Sequence, residues 1–330
     1  MVYNEERAND LKIKIKDTTT KILSGMDGIN FISSHEKTDY VINSLMGQIG
    51  LTPTLNALQS GKTVGLANKE TLVAAGDIVM KAAVKSGSLI PIDSEHCAIF
   101  QCLIGEENNV IDKLILTASG GPFYGKNKEE LKKVTLGDAL RHPTWSMGKK
   151  ITVDSATMMN KGLELIEAHH LFGVSPDNID IVIHRESIIH SLAQFEDKSV
   201  KAQMSLPDMK MCIQYALTCG NSGKREKSRC KELDLTMIKS LTFQKPDNQN
   251  FSFPELARFT VKEGGTLPAV MNAANESVVE LFLKEKISFS DIYDLVESMV
   301  QKHKNIKNPN IIDIIEVTED IKRHFISKFA

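Results

Sequence analysis

One stretch constrains this chain more than any other: two short apolar runs separated by an amphipathic helix. Lys62-Thr63-Val64-Gly65-Leu66-Ala67 reads as a buried strand preceded by a glycine. Residues 70–85 then repeat Leu72, Val73, Ile78, Val79 and Ala82 at helical spacing, and Gly87 follows as a stop. Leu89-Ile90-Pro91-Ile92 supplies a second strand. Strand, helix and strand in that order form a βαβ unit, so the strands are parallel and the crossover right-handed. The expected fold class is therefore α/β. An open parallel sheet also binds ligands outside the carboxyl ends of its strands, which tells where to look for chemistry.

The rest of the chain extends the pattern. Residues 1–92 read as alternating strand and helix, and Leu114-Ile115-Leu116-Thr117 as a further strand. Residues 150–153 read as a strand followed by a helix over 157–171, and 179–184 and 188–195 as two more strands. From about Cys219 to Phe251, including Asn221, Gly223 and a mixed-charge run over 224–231, the pattern dissolves into a polar connection. Helices are then expected over 255–262, 267–284 and 290–302, with a last one ending near Phe329. Ser288 and Asp291 have capping-box spacing. The organisation expected is a segment over 1–92, an α/β catalytic segment over 93–220, a linker over 221–254 and a helical bundle over 255–330.

Composition excludes several classes. Forty basic residues against forty-two acidic ones leave a net charge of −2, without the basic excess of a protein built to grip nucleic acid. No apolar run nears the ~20 residues that cross a bilayer. The opening Met-Val-Tyr-Asn-Glu-Glu-Arg lacks a secretory signal, so a cytoplasmic protein is expected. Five cysteines without a Cys-x-x-Cys pair read as reduced thiols rather than disulfides or zinc ligands.

Polar clusters follow the strand ends: Asn68-Lys69-Glu70, Asp93-Ser94-Glu95-His96, Ser119-Gly120-Gly121 and Asp154-Ser155. Asp93 and Glu95, separated by a single residue, would point the same way on extended chain, and Glu164 lies on the helix after Ser155. Three hard oxygen ligands suit Mg²⁺ or Mn²⁺; for Asp93 alone, capping the helix over 94–103 is the stronger reading. Ser155 near a helix start, with Asn160 and Lys161 beyond it, makes a phosphate cradle to which Ser119 adds a hydroxyl. An ordinary N-terminal cap with a solvated lysine explains the same residues. Gly61-Lys62-Thr63 lacks the earlier glycine of a P-loop, and Glu167-x-x-His170 lacks the second copy a di-iron site needs. Trp145, the only tryptophan, sits in a polar loop as either a core anchor or a flap over a ligand.

Longer runs carry a resemblance. Asn68-Lys69-Glu70, Pro91-Ile92-Asp93-Ser94-Glu95-His96, Ser119-Gly120-Gly121-Pro122-Phe123, His142-Pro143-Thr144-Trp145-Ser146-Met147-Gly148 and Val153-Asp154-Ser155-Ala156-Thr157-Met158-Met159-Asn160-Lys161-Gly162-Leu163-Glu164 follow one another, with Asn272-Ala273-Ala274-Asn275-Glu276 later. Over nearly its whole length the chain resembles the 1-deoxy-D-xylulose 5-phosphate reductoisomerases. The resemblance implies NADPH-dependent rearrangement and reduction of that sugar phosphate, with Asp93, Glu95 and Glu164 as metal ligands. It implies that Lys69 and Ser94 contact the substrate and that Ser119, Ser155, Asn160 and Lys161 hold its phosphate, with His142 beside it. Asn68, Glu70 and Gly148 would touch the cofactor, Trp145 and Met147 would form the flap, and the protein would be a homodimer.

Two departures stand against the family pattern. The family's Gly-x-Thr-Gly-Ser-Ile-Gly turn, which seats the cofactor pyrophosphate, has no counterpart, so a truncated Rossmann-like domain with weakened NADPH binding is expected. Met46-Gly47-Gln48-Ile49-Gly50 carries larger side chains between its glycines than the family does. Three other classes stay open: a metal-dependent sugar-phosphate isomerase or aldolase without redox, an impaired homologue that keeps the metal and phosphate site, and a non-catalytic subunit.

Overall fold

The computed structural model describes residue 2 and residues 4–145, 147–218 and 225–329. Ser146 of the tryptophan loop and residues 219–224, where the polar connection was expected to begin, lie outside the described residues.

The chain opens with two helices, α1 (Glu5–Lys14) and α2 (Gly25–Ser33), before its first strand, β1 (Tyr40–Asn43). The residues before Tyr40 therefore do not alternate as expected. Among described residues they contribute only an isolated bridge, Val2 to Ser24, and α1 buries only Ala8. After α3 (Leu51–Gln59), the βαβ unit appears where the periodicity placed it: β2 (Thr63–Leu66), α4 (Lys69–Ser86) and β3 (Ser88–Pro91). β1, β2 and β3 form a parallel sheet in that order, with Val64 opposite Val41 and Leu89. Asn68 caps α4 by accepting from Thr71 N at 2.8 Å, and the Gly87 N–H closes it onto Ala83 O. Inside α4 the helix kinks at Ala75 (φ −141°, ψ 30°). The neighbouring Gly76 faces His170, whose ring a Cβ at that position would overlap.

The second half begins with α5 (Ser94–Leu103) and β4 (Ile111–Ala118). Two one-turn helices, α6 (Lys128–Leu131) and α7 (Leu136–Ala139), lead to α8 (Lys149–Ala156) and α9 (Met159–Phe172). Three strands follow, β5 (Ile179–Ile183), β6 (Ile189–Phe195) and β7 (Val200–Met204), then α10 (Met209–Thr218). Their sheet has the order β5-β4-β6-β7, with β4 and β5 parallel and the remaining pairs antiparallel. The last elements are α11 (Phe253–Glu263), α12 (Leu267–Leu283), α13 (Asp291–Lys302) and α14 (Ile311–Phe329), close to the four helices expected. Ser288 and Asp291 make the reciprocal bonds their spacing suggested: Ser288 N donates to Asp291 Oδ2 at 2.7 Å and Asp291 N to Ser288 Oγ at 3.3 Å.

One expected strand is a helix. Ile151, Thr152 and Val153 are β-branched and read as strand, yet they lie in α8, which Gly148 caps and which packs on α9 and α12. Val153 is fully buried and Thr152 returns its hydroxyl to Gly148 O at 2.9 Å, so tertiary packing overrides a weak local preference. α8 and α9 then meet at a corner whose residue, Met158, is left-handed (φ 64°).

The main core runs without a break from Leu114 and Leu116 of β4 through Leu163 and Ile166 of α9 to Phe253, Val270, Phe282 and Ile292 of the C-terminal helices. A smaller one joins Leu58, Val64, Leu72 and Val79 around the parallel sheet and takes Ala269 and Ile314 from the same helices. Among the described residues, Cys97, Cys102, Cys212 and Cys230 are free thiols, and no helix is long and apolar enough to cross a membrane.

Candidate active site

The carboxyl ends of β2, β3 and β4, the start of α5 and the α8–α9 corner enclose a cleft of about 330 Å³. Lys69, Asp93, Ser94, Glu95, Ser119, His142, Trp145, Met147, Ser155, Asn160, Lys161 and Glu164 all line it. Lys69 and Glu164, 95 positions apart in sequence, therefore share one space.

Asp93 does two jobs at once. It is the N-cap of α5, its Oδ1 accepting from Glu95 N at 3.1 Å, while Oδ2 pairs with the Lys69 ammonium. Extended chain does not bring Asp93 and Glu95 together, contrary to expectation; the first turn of a helix does, and Glu164 reaches them from α9. One carboxylate oxygen from each of Asp93, Glu95 and Glu164 lies within 4.8 Å of the others. His96, fully buried, sets Nδ1 2.8 Å from Asp93 Oδ1 and donates from Nε2 to the Glu164 carbonyl at 2.9 Å. Glu167 lies behind, 3.8 Å from Lys69 Nζ.

Charge is concentrated here. Burial alone would discharge Lys69, but Asp93, Glu164 and Glu167 overcome it and hold its pKa well above the ordinary value. Burial likewise opposes the Asp93 carboxylate, and Lys69 and His96 win, keeping it well below the usual range. Glu164 shifts the other way: burial first, then the charge of Glu95, push its carboxyl up. A site of three hard oxygens, one of them short of positive charge, fits a divalent cation such as Mg²⁺.

The anion side is built at the α8–α9 corner. Ser155 stands near the end of α8 rather than at a helix start, which corrects the expected arrangement; the free N–H groups belong to α9, which carries Asn160 and Lys161. Ser119 reaches the same spot because Gly120 and Gly121 turn with φ +79° and +67°. A Cβ on Gly121 would lie 2.6 Å from Ser155 O, so only glycine lets the turn rest on α8. His142 Nδ1 accepts from Trp145 N at 2.9 Å, which leaves the proton on Nε2 facing Ser155 Oγ at 3.0 Å and Ser119 Oγ at 3.3 Å. Burial, then Arg185 and Lys161, lower its pKa and keep the ring neutral. Lys161 bonds to Glu164 and lies 3.3 Å from Glu95 Oε1, and its pKa is raised by those two carboxylates against the cost of burial.

Asn68, Glu70 and Gly148 do not line this cleft. Asn68 is buried and donates to Leu45 O and Gly47 O, bracing the Met46–Gly50 turn, whose Met46 points to solvent. Glu70 pairs with Lys150, and Gly148 caps α8. Sequence reasoning missed Ser187, His190 and Met209, which also line the cleft. His190 packs its ring 6.4 Å from Trp145, yet a lone histidine within a strand gives no signal of such a place.

Comparison with known proteins decides the family. Residues 1–76 match the 1-deoxy-D-xylulose 5-phosphate reductoisomerase family, and residues 89–172 and 204–324 match its two C-terminal domain descriptions. A reductoisomerase of Halothermothrix orenii is 50% identical over 317 residues, 96% of this chain and 82% of that protein. One of Bacillus anthracis is 49% identical over 324 residues, 98% and 85%. The chain belongs to the 1-deoxy-D-xylulose 5-phosphate reductoisomerase family. Solved reductoisomerases share the fold: one in complex with NADPH, fosmidomycin and magnesium has a TM-score of 0.91 and 39% identity, and that of Zymomonas mobilis in complex with NADPH has 0.92 and 37%, each matching 99% of this chain and 85% of the other. Reductoisomerase membership makes the chain an oxidoreductase and accounts for the α/β architecture with a helical C-terminus.

Proposed function

We propose that the chain converts 1-deoxy-D-xylulose 5-phosphate to 2-C-methyl-D-erythritol 4-phosphate, rearranging the carbon skeleton and then reducing the aldehyde formed, as a step of isoprenoid biosynthesis by the methylerythritol phosphate pathway. The observation that carries this reading is the convergence of a carboxylate triad and an anion cradle in one cleft at the strand ends. Residues 1–92 would seat NADPH, 93–220 metal and substrate, and 255–330 would back both through the linker at 221–254.

Each residue has a task it can perform. Lys161, the Ser119 and Ser155 hydroxyls and the α9 N–H groups bind phosphate at one end of the sugar, so remote binding energy orients the reacting end. Neutral His142 donates its Nε2 proton to the same anion. Asp93, Glu95 and Glu164 would hold Mg²⁺ or Mn²⁺, and Lys69 and Ser94 would contact the carbon chain and its hydroxyls. When bound, the cation supplies Lewis-acid polarisation of the carbonyl and NADPH supplies hydride. Asn68, Glu70 and Gly148 would serve the cofactor side. Trp145 and Met147 would cover the cleft, keeping water from fragments released midway. The reading also carries a homodimer and a cytoplasmic location.

The test is NADPH oxidation with 1-deoxy-D-xylulose 5-phosphate and Mg²⁺, with the product identified by NMR. Formation of 2-C-methyl-D-erythritol 4-phosphate with one NADPH consumed per turnover supports it. Rearranged sugar phosphate without NADPH consumption identifies an isomerase or aldolase instead. Absence of both metal and sugar-phosphate binding identifies a non-catalytic subunit.

A further inference from the structure

Lys150 stands two residues past Gly148, the N-cap of α8, and its ammonium joins two elements. Nζ lies 2.9 Å from Asp154 Oδ2, one turn further along α8, and 3.3 Å from Glu70 Oε1 in the first turn of α4. Asp154 is 1% exposed, and its other oxygen accepts from Asn275 Nδ2 of α12 at 2.8 Å. Only the amide NH₂ of Asn275 can face a carboxylate, so its Oδ1 is left buried without a hydrogen-bond partner among the described residues. The molecule tolerates that orphan in order to hold Asp154. Glu276, next to Asn275, pairs with Lys322 of α14 at 2.9 Å and adds negative potential at Lys150. Burial would discharge Lys150, but Asp154, Glu70 and Glu276 keep it protonated.

Lys150, Asp154 and Asn275 do not line the substrate cleft. Lys150 nonetheless stands in the first turn of α8, two residues after the His142–Gly148 segment, and Asp154 precedes Ser155. The chain of contacts therefore runs from the C-terminal helices through the helix under the phosphate cradle to the residue beside Lys69.

We propose that Lys150 is a positioning residue: anchored on Asp154 and Asn275, it ties the base of the Trp145 segment to Glu70, so that phosphate binding and NADPH binding are felt by each other. The assignment of the two sides rests on the reductoisomerase reading. Such coupling is a reciprocal free energy between sites, and a buried ion pair that spans both is a physical element able to carry it.

Trp145, the only tryptophan in the sequence, reports on the segment by its fluorescence. Titrations with NADPH, alone and in saturating inorganic phosphate with Mg²⁺, measure the coupling directly and need no turnover. In the wild-type protein phosphate should tighten NADPH by about 10-fold. Lys150→Met should abolish most of that factor while Lys150→Arg, which keeps the charge, retains it. If Lys150→Met fails to fold, Glu70→Gln breaks the same link and leaves the Lys150–Asp154 pair intact, and it should lose the coupling too. Undiminished coupling in a folded Lys150→Met or in Glu70→Gln overturns the proposal alone. A wild-type protein whose Trp145 answers neither NADPH nor phosphate overturns the functional reading and this proposal together.

Discussion

Lys161 Nζ lies 3.3 Å from Glu95 Oε1, so one ammonium touches both the anion cradle and the candidate metal ligands. Phosphate and metal binding therefore act on the same side chain. Lys161→Ala should weaken phosphate-bearing ligands by about 10- to 100-fold through loss of a charge-assisted contact, and their dephosphorylated analogues far less. Isothermal titration with both ligand types checks this; equal weakening would point to damage of the fold.

Removing any one of the three carboxylates should cost metal affinity, and at Asp93, whose charge Lys69 and His96 hold, it should cost stability as well. Asp93→Asn, Glu95→Gln and Glu164→Gln each leave shape unchanged while deleting a charge. For Glu164→Gln, burial and the charge of Glu95 already push the carboxyl up, so the melting temperature should hold or rise while Mg²⁺ affinity falls at least 10-fold. Calorimetric titration with Mg²⁺ beside a thermal melt separates the two effects. A variant that melts early and still binds Mg²⁺ would contradict the assignment.

Gly121→Ala tests the cradle from its backbone side. Its φ of +67° is strained for alanine, and the new methyl would lie 2.6 Å from Ser155 O. A penalty of about 1–3 kcal/mol is expected from the strain alone, and Ser119 should move out of register with Ser155. The expected result is a raised KM for the sugar phosphate with the metal affinity retained.

Two buried histidines should draw stability down in acid well above the carboxylate range, against the opposite pull of Glu167, which burial pushes up to about 7. Burial lowers the pKa of His190 to about 4 and, with His169 beside it, that of His170 to about 4, against 6.5 for an unperturbed ring. The unfolded chain binds those protons first, so stability is fully present above pH 6.5 and is lost as pH falls toward 4. Each ring contributes about 1.4 kcal/mol per pH unit across that window. Chemical denaturation at stepped pH should show the loss. His190→Gln, which keeps a donor for Ser205 O but cannot titrate, should flatten part of it.

Local signals made much of this legible. The βαβ unit could be read because its apolar period and the glycine at 87 are properties of adjacent residues. The cleft could be read because polar residues after β2, β3 and β4 fall at strand ends, where a parallel sheet collects them. Residues 150–153 misled because Ile-Thr-Val is intrinsically strand-like, and only packing on α9 and α12 makes it helical. Asp154 and Asn275 meet across 121 positions, and His190 reaches Trp145 across 45, with no periodicity to announce either. What the sequence hid is contact between elements whose partners are chosen by tertiary packing.

The broken helix α4 serves two cores at once. Val73 belongs to the main core, while Leu72, Ala74, Ala75 and Val79, on both sides of the kink at Ala75, belong to the one around the parallel sheet. A helix gripped from two sides cannot roll about its axis without opening a void in one of them. The azimuth of its first residue, Lys69, is thereby locked by apolar side chains that never meet a ligand. Cavity-forming substitutions in either core should converge on the heading of that single ammonium, making the least polar part of α4 the aiming mechanism for its most polar atom.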